Sequence, residues 1–267
     1  MTARPVRLYL LDIEGTAAPL TLTSELLFPY ARAHFAGFLR QHGGDADVLA
    51  DLALLAEENS AETDPSAPQI AMDCHPEQGR RGDRGEGSAY PKIVGAPGPD
   101  SGTWETSALR YLLWLMDRDR KSTALKSLQG KIWKAGFESG ELKGTLFADV
   151  PPALERWSKN AKVAIYSSGS VEAQRLLFSH TTVGDLTSMI SGYFDTRTGP
   201  KMESMSYAAI AAAIGVAPAE ILFFSDVVRE LDAAREAGCR TRLVIRPGNA
   251  PVEDARGHAA IETLARI

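Results

Sequence analysis

Cysteine is scarce in this chain of 267 residues, which has two cysteines, Cys74 and Cys239. They stand far apart and have no histidine at the spacing of metal ligands, which argues against a disulfide framework and against a zinc site. We therefore expect two reduced, structural thiols in a cytoplasmic protein, with the nucleus as a further location in a eukaryote.

Long apolar runs and an excess of positive charge are lacking as well. No apolar stretch approaches the length of a membrane-spanning helix, and the N-terminal residues lack the apolar core of a signal peptide. The formal net charge is -5 at pH 7, and no basic stripe offsets it. These absences argue against membrane and nucleic-acid partners, and we expect a monomer that acts on a small molecule.

What the chain does contain is a series of apolar segments that end in polar residues. Their pattern predicts buried strands at 6–11, 162–166, 221–224 and 241–245, the last strand of the chain, with helices at 172–178, 204–214 and 231–237. Strands that alternate with helices indicate a mostly parallel sheet. Between the first two strands, helical spacing recurs at 22–39, 48–58, 106–116 and 122–137. We therefore predict an α/β core, residues 1–20 and 145–267, with an inserted helical cap, residues 21–144.

Within the predicted cap, residues 73–102 differ in character from their surroundings. Glycine and proline are frequent there, and the apolar periodicity disappears. Few apolar groups offset the entropy cost of ordering, which is about 1–2 kcal/mol per residue. The segment is predicted to be a mobile surface loop, and we favour a passive insertion over a lid.

Two carboxylates and a glycine directly follow the first predicted strand, where residues 12–16 are DIEGT. Residues two apart on an extended strand point the same way, so Asp12 and Glu14 can converge. Converging anions repel unless a proton or a cation lies between them, and a hard divalent ion such as Mg²⁺ accepts oxygen ligands. The alternative is a strand followed by an ordinary acidic turn.

Three further polar clusters follow along the chain. Ser167 and Ser168 precede a glycine and a helix start, which suits either a phosphate cradle or a helix N-cap. Lys201, after a Gly-Pro turn, could reach a phosphate, and Asp226 could be a third metal ligand or a helix cap. Together with the first acidic cluster, the set is hard to explain as four caps and favours a phosphate and metal site.

For Glu230 and Asp232, one turn further on, we favour a solvated acidic face.

This order of motifs resembles the haloacid dehalogenase superfamily of phosphotransferases, whose first motif is DxDGT. Longer strings are similar to the enolase-phosphatases of methionine salvage. They lie at residues 12–16 with Pro19, and at 27–30, 119–126, 128–133, 166–174, 192–196, 225–226, 229–230 and 246–250. The resemblance covers nearly the whole chain except residues 73–102, and it implies a Rossmann-like parallel sheet core with a helical cap.

The resemblance implies a Mg²⁺-dependent acireductone synthase, which enolises 2,3-diketo-5-methylthiopentyl 1-phosphate and removes its phosphate. Asp12 would be the nucleophile that forms an aspartyl-phosphate. Glu14 would donate and accept protons, or hold the metal through its backbone or side chain. Mg²⁺ would lie between Asp12, Glu14 and Asp226. The implied phosphate ligands are Ser167, Ser168 and Lys201.

Three other functions stay open at this point. The nearest is another phosphatase of the same superfamily that acts on a small sugar phosphate. A 2-haloacid dehalogenase would also use an aspartate nucleophile but would need no metal. From another class, the chain could be a non-catalytic binding module, although such a module has no use for a nucleophile. Phosphatase assays on a substrate panel, with and without Mg²⁺, would separate them.

Overall fold

The computed structural model describes residues 4–70 and 104–267, so the predicted loop at 73–102 lies outside the described residues. The chain divides into two compact units. One combines the described part of Met1–Pro29 with Trp133–Ile267, and the other is the described part of Tyr30–Ile132. Both unit boundaries fall inside the segment predicted as the cap, and the domain bounds drawn from sequence stay a prediction.

The first unit is built on a parallel sheet of six strands in the order β3-β2-β1-β4-β5-β6. The strands are β1 Leu8–Leu11, β2 Lys162–Tyr166, β3 Gly192–Phe194, β4 Ile221–Ser225, β5 Arg240–Val244 and β6 Ala260–Ile261. The α/β class and the four predicted strands are confirmed. The prediction that the chain has no strand after the one near residue 245 was wrong, because β6 has two residues and no apolar run to announce it.

Helices connect the strands and form most of the second unit. In chain order they are a π-helix Leu22–Leu27, α1 Phe28–His42, α2 Ala46–Ser60, α3 Trp104–Asp117, α4 Thr123–Ser139, α5 Val150–Ser158, α6 Val171–Ser179, α7 Ser204–Ile214 and α8 Val228–Glu236. Short 3₁₀ turns lie at Thr187–Met189 and Pro218–Glu220. Among residues 4–70 and 104–267, no helix is long and apolar enough to cross a membrane.

The core of the first unit explains why its strands are almost continuously apolar. Leu8, Leu10 and Phe223 are fully buried in a cluster that includes Tyr207 and Leu231, from α7 and α8. Tyr9 of β1 stacks on Trp157 of α5, with ring centroids 4.3 Å apart. A parallel sheet covered on both faces needs apolar side chains in both directions.

The strand order also determines where polar residues meet. The chain adds β2 and β3 on one side of β1 and then returns to add β4 on the other. In open α/β sheets, ligands bind at such a switch point, beyond the carboxyl ends of the strands. Asp12 follows β1, Ser167 follows β2 and Asp226 follows the end of β4, so all three lie at this edge.

The second unit is helical, as the apolar spacing predicts. Leu52 and Leu55 of α2, and Tyr111 and Leu112 of α3, are buried. The carboxylate of Glu58 accepts hydrogen bonds from two backbone N–H groups at the start of α4, at 2.9 and 3.3 Å. Bonds of this kind satisfy donors that the first helical turn leaves unpaired.

Candidate active site

A buried lysine links the acidic ends of β1 and α8. Lys201 Nζ donates to Asp12 Oδ1 at 2.6 Å and lies 2.7 Å from Glu230 Oε2. Burial opposes the charge on this lysine, but the attraction of Asp12 and Glu230 outweighs it and raises the pKa of Lys201. Lys201 is therefore a fixed positive charge that holds one oxygen of the Asp12 carboxylate.

Two tyrosines hold the turn that carries this lysine. The hydroxyl of Tyr207 donates to the carbonyl of Lys201 at 2.7 Å, and that of Tyr166 donates to Gly199 O at the same distance. Gly199 has φ 145°, and a Cβ there would lie 2.3 Å from Ser206 Oγ. The glycine before Pro200 is needed because the turn packs directly against the start of α7.

Glu230 corrects the interpretation drawn from sequence. The sequence pattern favours a solvated acidic face, but Glu230 is 8% exposed and its carboxylate also accepts from Ser225 Oγ at 2.8 Å. Asp232 is partly exposed and accepts from Arg256 at 2.9 Å, so neither residue belongs to a free acidic face.

Asp226 lies against the turn that follows β1. A Cβ on Gly15 would stand 2.2 Å from Asp226 Oδ2, so a glycine is required for this approach. Burial and the nearby negative charge of Asp12 raise the pKa of Asp226 to about 7. The N-cap of α8 is Val227, which rules out the alternative that Asp226 caps this helix. The two carboxylates instead make a local excess of negative charge that a cation would relieve.

A threonine holds the Glu14 carboxylate. The carboxylate accepts a hydrogen bond from the hydroxyl of Thr23, in the π-helix. Within the two described ranges, no group of three His, Cys, Asp or Glu side chains could hold a metal ion. The side chains of Asp12, Glu14 and Asp226 therefore do not form a preassembled cage, and this set of metal ligands stays a prediction, in which Glu14 would contribute its backbone or its side-chain oxygen.

The serine cluster forms the turn between β2 and α6. Ser167 is buried and its backbone N–H donates to Phe194 O at 3.1 Å, whereas Ser168 is exposed. The side chain that caps α6 is Ser170, whose Oγ accepts from Ala173 N at 3.2 Å. The alternative that Ser167 or Ser168 is the helix cap is therefore wrong, and Ser168 faces solvent at the edge of the site.

Comparison with known proteins places this arrangement in a family. Residues 6–238 match the model of the haloacid dehalogenase-like hydrolases. The chain is 50% identical over 245 residues to "Enolase-phosphatase E1" of Synechococcus elongatus, covering 91% of this chain and 90% of that protein. It is 41% identical to the protein of the same name from Sorangium cellulosum, over 100% and 99% of the two chains. The chain belongs to the enolase-phosphatase family.

A solved structure has a similar fold. The chain is similar to the Unknown transcript 4 protein of Saccharomyces cerevisiae, with a TM-score of 0.70 and 33% identity over 97% of this chain and 98% of that one. The resemblance drawn from the residues is thus confirmed, as is the hydrolase class.

As a member of the enolase-phosphatase family, the chain also has supporting residues that sequence reasoning missed. Gln174 Nε2 donates at 2.8 Å to both Gly169 O and Phe194 O, which holds the serine turn against β3. Asp195 accepts from Val171 N at 3.2 Å at the start of α6. Gln174 and Asp195 lie in two of the strings that carry the resemblance, but the strings alone give them no role.

Proposed function

We propose that this protein is a Mg²⁺-dependent enolase-phosphatase that converts 2,3-diketo-5-methylthiopentyl 1-phosphate to acireductone and phosphate in methionine salvage. The observation that carries the proposal is Lys201 bound to Asp12 at the carboxyl edge of β1. A phosphatase that forms a covalent intermediate needs a carboxylate that is ionised, held in one orientation and paired with a cation. The identity to proteins named enolase-phosphatase supports the choice of substrate.

The charges at the site fit a divalent cation. Burial, together with repulsion by Asp12, raises the pKa of Asp226. Mg²⁺ is bound in many sites by one or two carboxylates and several waters, so two carboxylates and the backbone oxygen of Glu14 would be sufficient. When bound, the ion would offset the negative charge of the phosphoryl group during its transfer.

Phosphoryl transfer, which follows enolisation of the substrate, uses the oxygen of Asp12 that Lys201 does not hold. Lys201 binds Oδ1, so Oδ2 attacks phosphorus and forms the aspartyl-phosphate. The bond between phosphorus and the substrate oxygen breaks, and that oxygen takes a proton from Glu14. Ser167, Ser168 and Lys201 bind the phosphate oxygens, the lysine by charge and the serines by hydrogen bonds.

The second step regenerates the enzyme. Glu14, now a carboxylate, takes a proton from water as the water oxygen attacks phosphorus. The bond between phosphorus and Asp12 breaks, which releases inorganic phosphate and the free carboxylate. The hydrogen bond from Thr23 keeps the Glu14 carboxylate in one place through both steps.

Phosphate release from a substrate panel tests the proposal. We expect the highest kcat/KM with the methylthio diketone phosphate, lower values with sugar phosphates, and loss of activity in EDTA that Mg²⁺ restores. Preference for a sugar phosphate would identify a different phosphatase. Haloacid turnover in EDTA would point to a dehalogenase, and inactivity on every compound would favour the binding module.

A cytoplasmic monomer that acts on a free small molecule completes the proposal. Both the location and the monomeric state rest on sequence composition. Sedimentation of the purified protein would check the monomeric state, and fractionation of cells would check the location.

A further inference from the structure

The loop after β5 binds the turn that carries the nucleophile. This RPGN loop, residues 246–249, donates two hydrogen bonds to consecutive backbone carbonyls of that turn. Arg246 Nε donates to Thr16 O at 3.1 Å, and Asn249 Nδ2 donates to Gly15 O at 2.9 Å. The mechanism proposed above assigns this loop no part.

Arg246 is the fixed end of the loop. It is 6% exposed, and its Nη1 donates to Asp149 Oδ2 at 2.9 Å. Its guanidinium also lies 4.5 Å from the centre of the Phe147 ring. A buried arginine held by a carboxylate and an aromatic ring has little freedom to move. The loop is therefore anchored independently of the turn that it contacts.

Asn249 completes the restraint on Gly15. The N–H of Gly15 donates to Ala18 O at 2.8 Å, while its C=O accepts from Asn249. The peptide between Glu14 and Gly15 is planar and trans, so its C=O points opposite to the Gly15 N–H. The Gly15 N–H bond therefore sets the direction of the backbone oxygen of Glu14, and the Asn249 bond restrains the next peptide of the same turn.

The other end of the Asn249 amide borders the same point beside Gly15 as Asp226. Asn249 Oδ1 is buried and has no hydrogen-bond partner among the described residues. It lies 3.2 Å from the point where a Cβ of Gly15 would stand, and Asp226 Oδ2 lies 2.2 Å from the same point. A shared donor or cation beside this point would satisfy both acceptor oxygens. A water of a hydrated cation provides such a donor.

We propose that Asn249 is a positioning residue for the magnesium site. Its NH₂ group holds the carbonyl of Gly15 in one orientation. Its Oδ1 accepts a hydrogen bond from a water bound to the cation that Asp226 holds. Residues around metal ligands typically change metal affinity by about 10–100-fold when they are removed. The inference rests on the proposed function, because it takes the Mg²⁺ requirement from there.

Calorimetric titration of Mg²⁺ into the substrate-free protein tests the inference without an activity assay. Asn249→Ala removes both ends of the amide, and we expect its Kd for Mg²⁺ to rise about tenfold. Asn249→Ser is a smaller change that provides the same test if the alanine variant does not fold, because its hydroxyl is too short to reach both groups. Asn160→Ala is the matched control, since Asn160 is exposed on the same unit.

The outcomes separate the inference from the function on which it rests. Unchanged Mg²⁺ affinity in a folded Asn249 variant would overturn the inference, and so would an equal loss in Asn160→Ala. If the unaltered protein turned over the diketone phosphate but bound no Mg²⁺, the metal requirement and this inference would both fail. If it bound Mg²⁺ and Asn249→Ala weakened that binding, but no diketone phosphate was hydrolysed, only the proposed substrate would fail.

Discussion

The two units of the chain use ion pairs of nearly equal length in very different surroundings. In the first unit, Lys201 lies 2.6 Å from Asp12, and the two side chains are 11% and 6% exposed. In the second unit, Arg32 lies 2.7 Å from Asp117, and these side chains are 46% and 54% exposed. Distance alone does not distinguish the two pairs, whereas access of water does.

The difference indicates which pair serves stability and which serves chemistry. An exposed pair contributes about 0.2–1 kcal/mol, because water already solvates both charges. A buried pair costs several kcal/mol in desolvation, and apolar residues of the same volume are often at least as stabilising. The charges around Lys201 therefore contribute little net stability to the fold, and their burial is explained better by a reaction that needs charged groups at this position.

The largest effect is expected from Asp12→Asn. An amide cannot attack phosphorus, so turnover should fall below detection, and no phosphoenzyme should appear in a mass spectrum of the intact protein. The fold should persist, because asparagine has nearly the same shape and Lys201 keeps Glu230 as a partner. Multiple turnover by a pure, folded Asp12→Asn protein would contradict a covalent mechanism.

Glu230→Ala tests the buried side of the comparison. The change leaves Lys201 with Asp12 alone and removes the acceptor of Ser225. Breaking a buried pair costs about 3 kcal/mol, which is several degrees in Tm for a protein of this size. The control is Glu236→Ala, the same substitution at an exposed position of α8. Equal Tm values for the two variants would show that the buried cluster has no special cost.

The sequence was sufficient to locate the candidate site. An apolar segment that ends in an acidic residue, as at Asp12 and Asp226, predicts both a buried strand and the edge of the sheet at which ligands bind. The prediction for Glu230 failed because the face of α8 that packs inwards depends on how the helix meets β4. In a helix of nine residues, the spacing does not distinguish a buried polar position from an exposed one.

Contacts between residues far apart in the chain could not be predicted either, because they depend on how the elements pack. Asn249 and Gly15 are separated by 234 positions, and their hydrogen bond exists only because β5 lies beside β4 and β4 beside β1. The Thr23 bond to Glu14 depends on the π-helical winding of residues 22–27, which apolar spacing does not distinguish from an α-helix. β3 has three residues and no pattern of its own.

The pH dependence of stability follows from the raised pKa of Asp226, about 7 against an ordinary 3.8. Between pH 4 and 7, the folded, metal-free protein holds a proton on Asp226 that the unfolded chain has released. The Asp226 contribution to stability should therefore be lost as pH rises through this window. Tm measured in EDTA from pH 5 to 8 should fall less in Asp226→Asn than in the unaltered protein. Parallel curves for the two proteins would contradict the raised pKa.

The smallest effect is expected at the exposed pair, where a double-mutant cycle of Arg32→Ala and Asp117→Ala should give a coupling below about 1 kcal/mol. The measurement is the free energy of unfolding from denaturant titration of the four proteins.

In 1 M NaCl the screening length is about 3 Å, so the coupling between Arg32 and Asp117 should decrease further. Lys201 and its second buried partner, Glu230, should remain coupled in the same salt, because each of the two side chains is only 11% exposed. A coupling at Arg32 and Asp117 as large and as insensitive to salt as the buried one would show that exposure is not what separates the two regions.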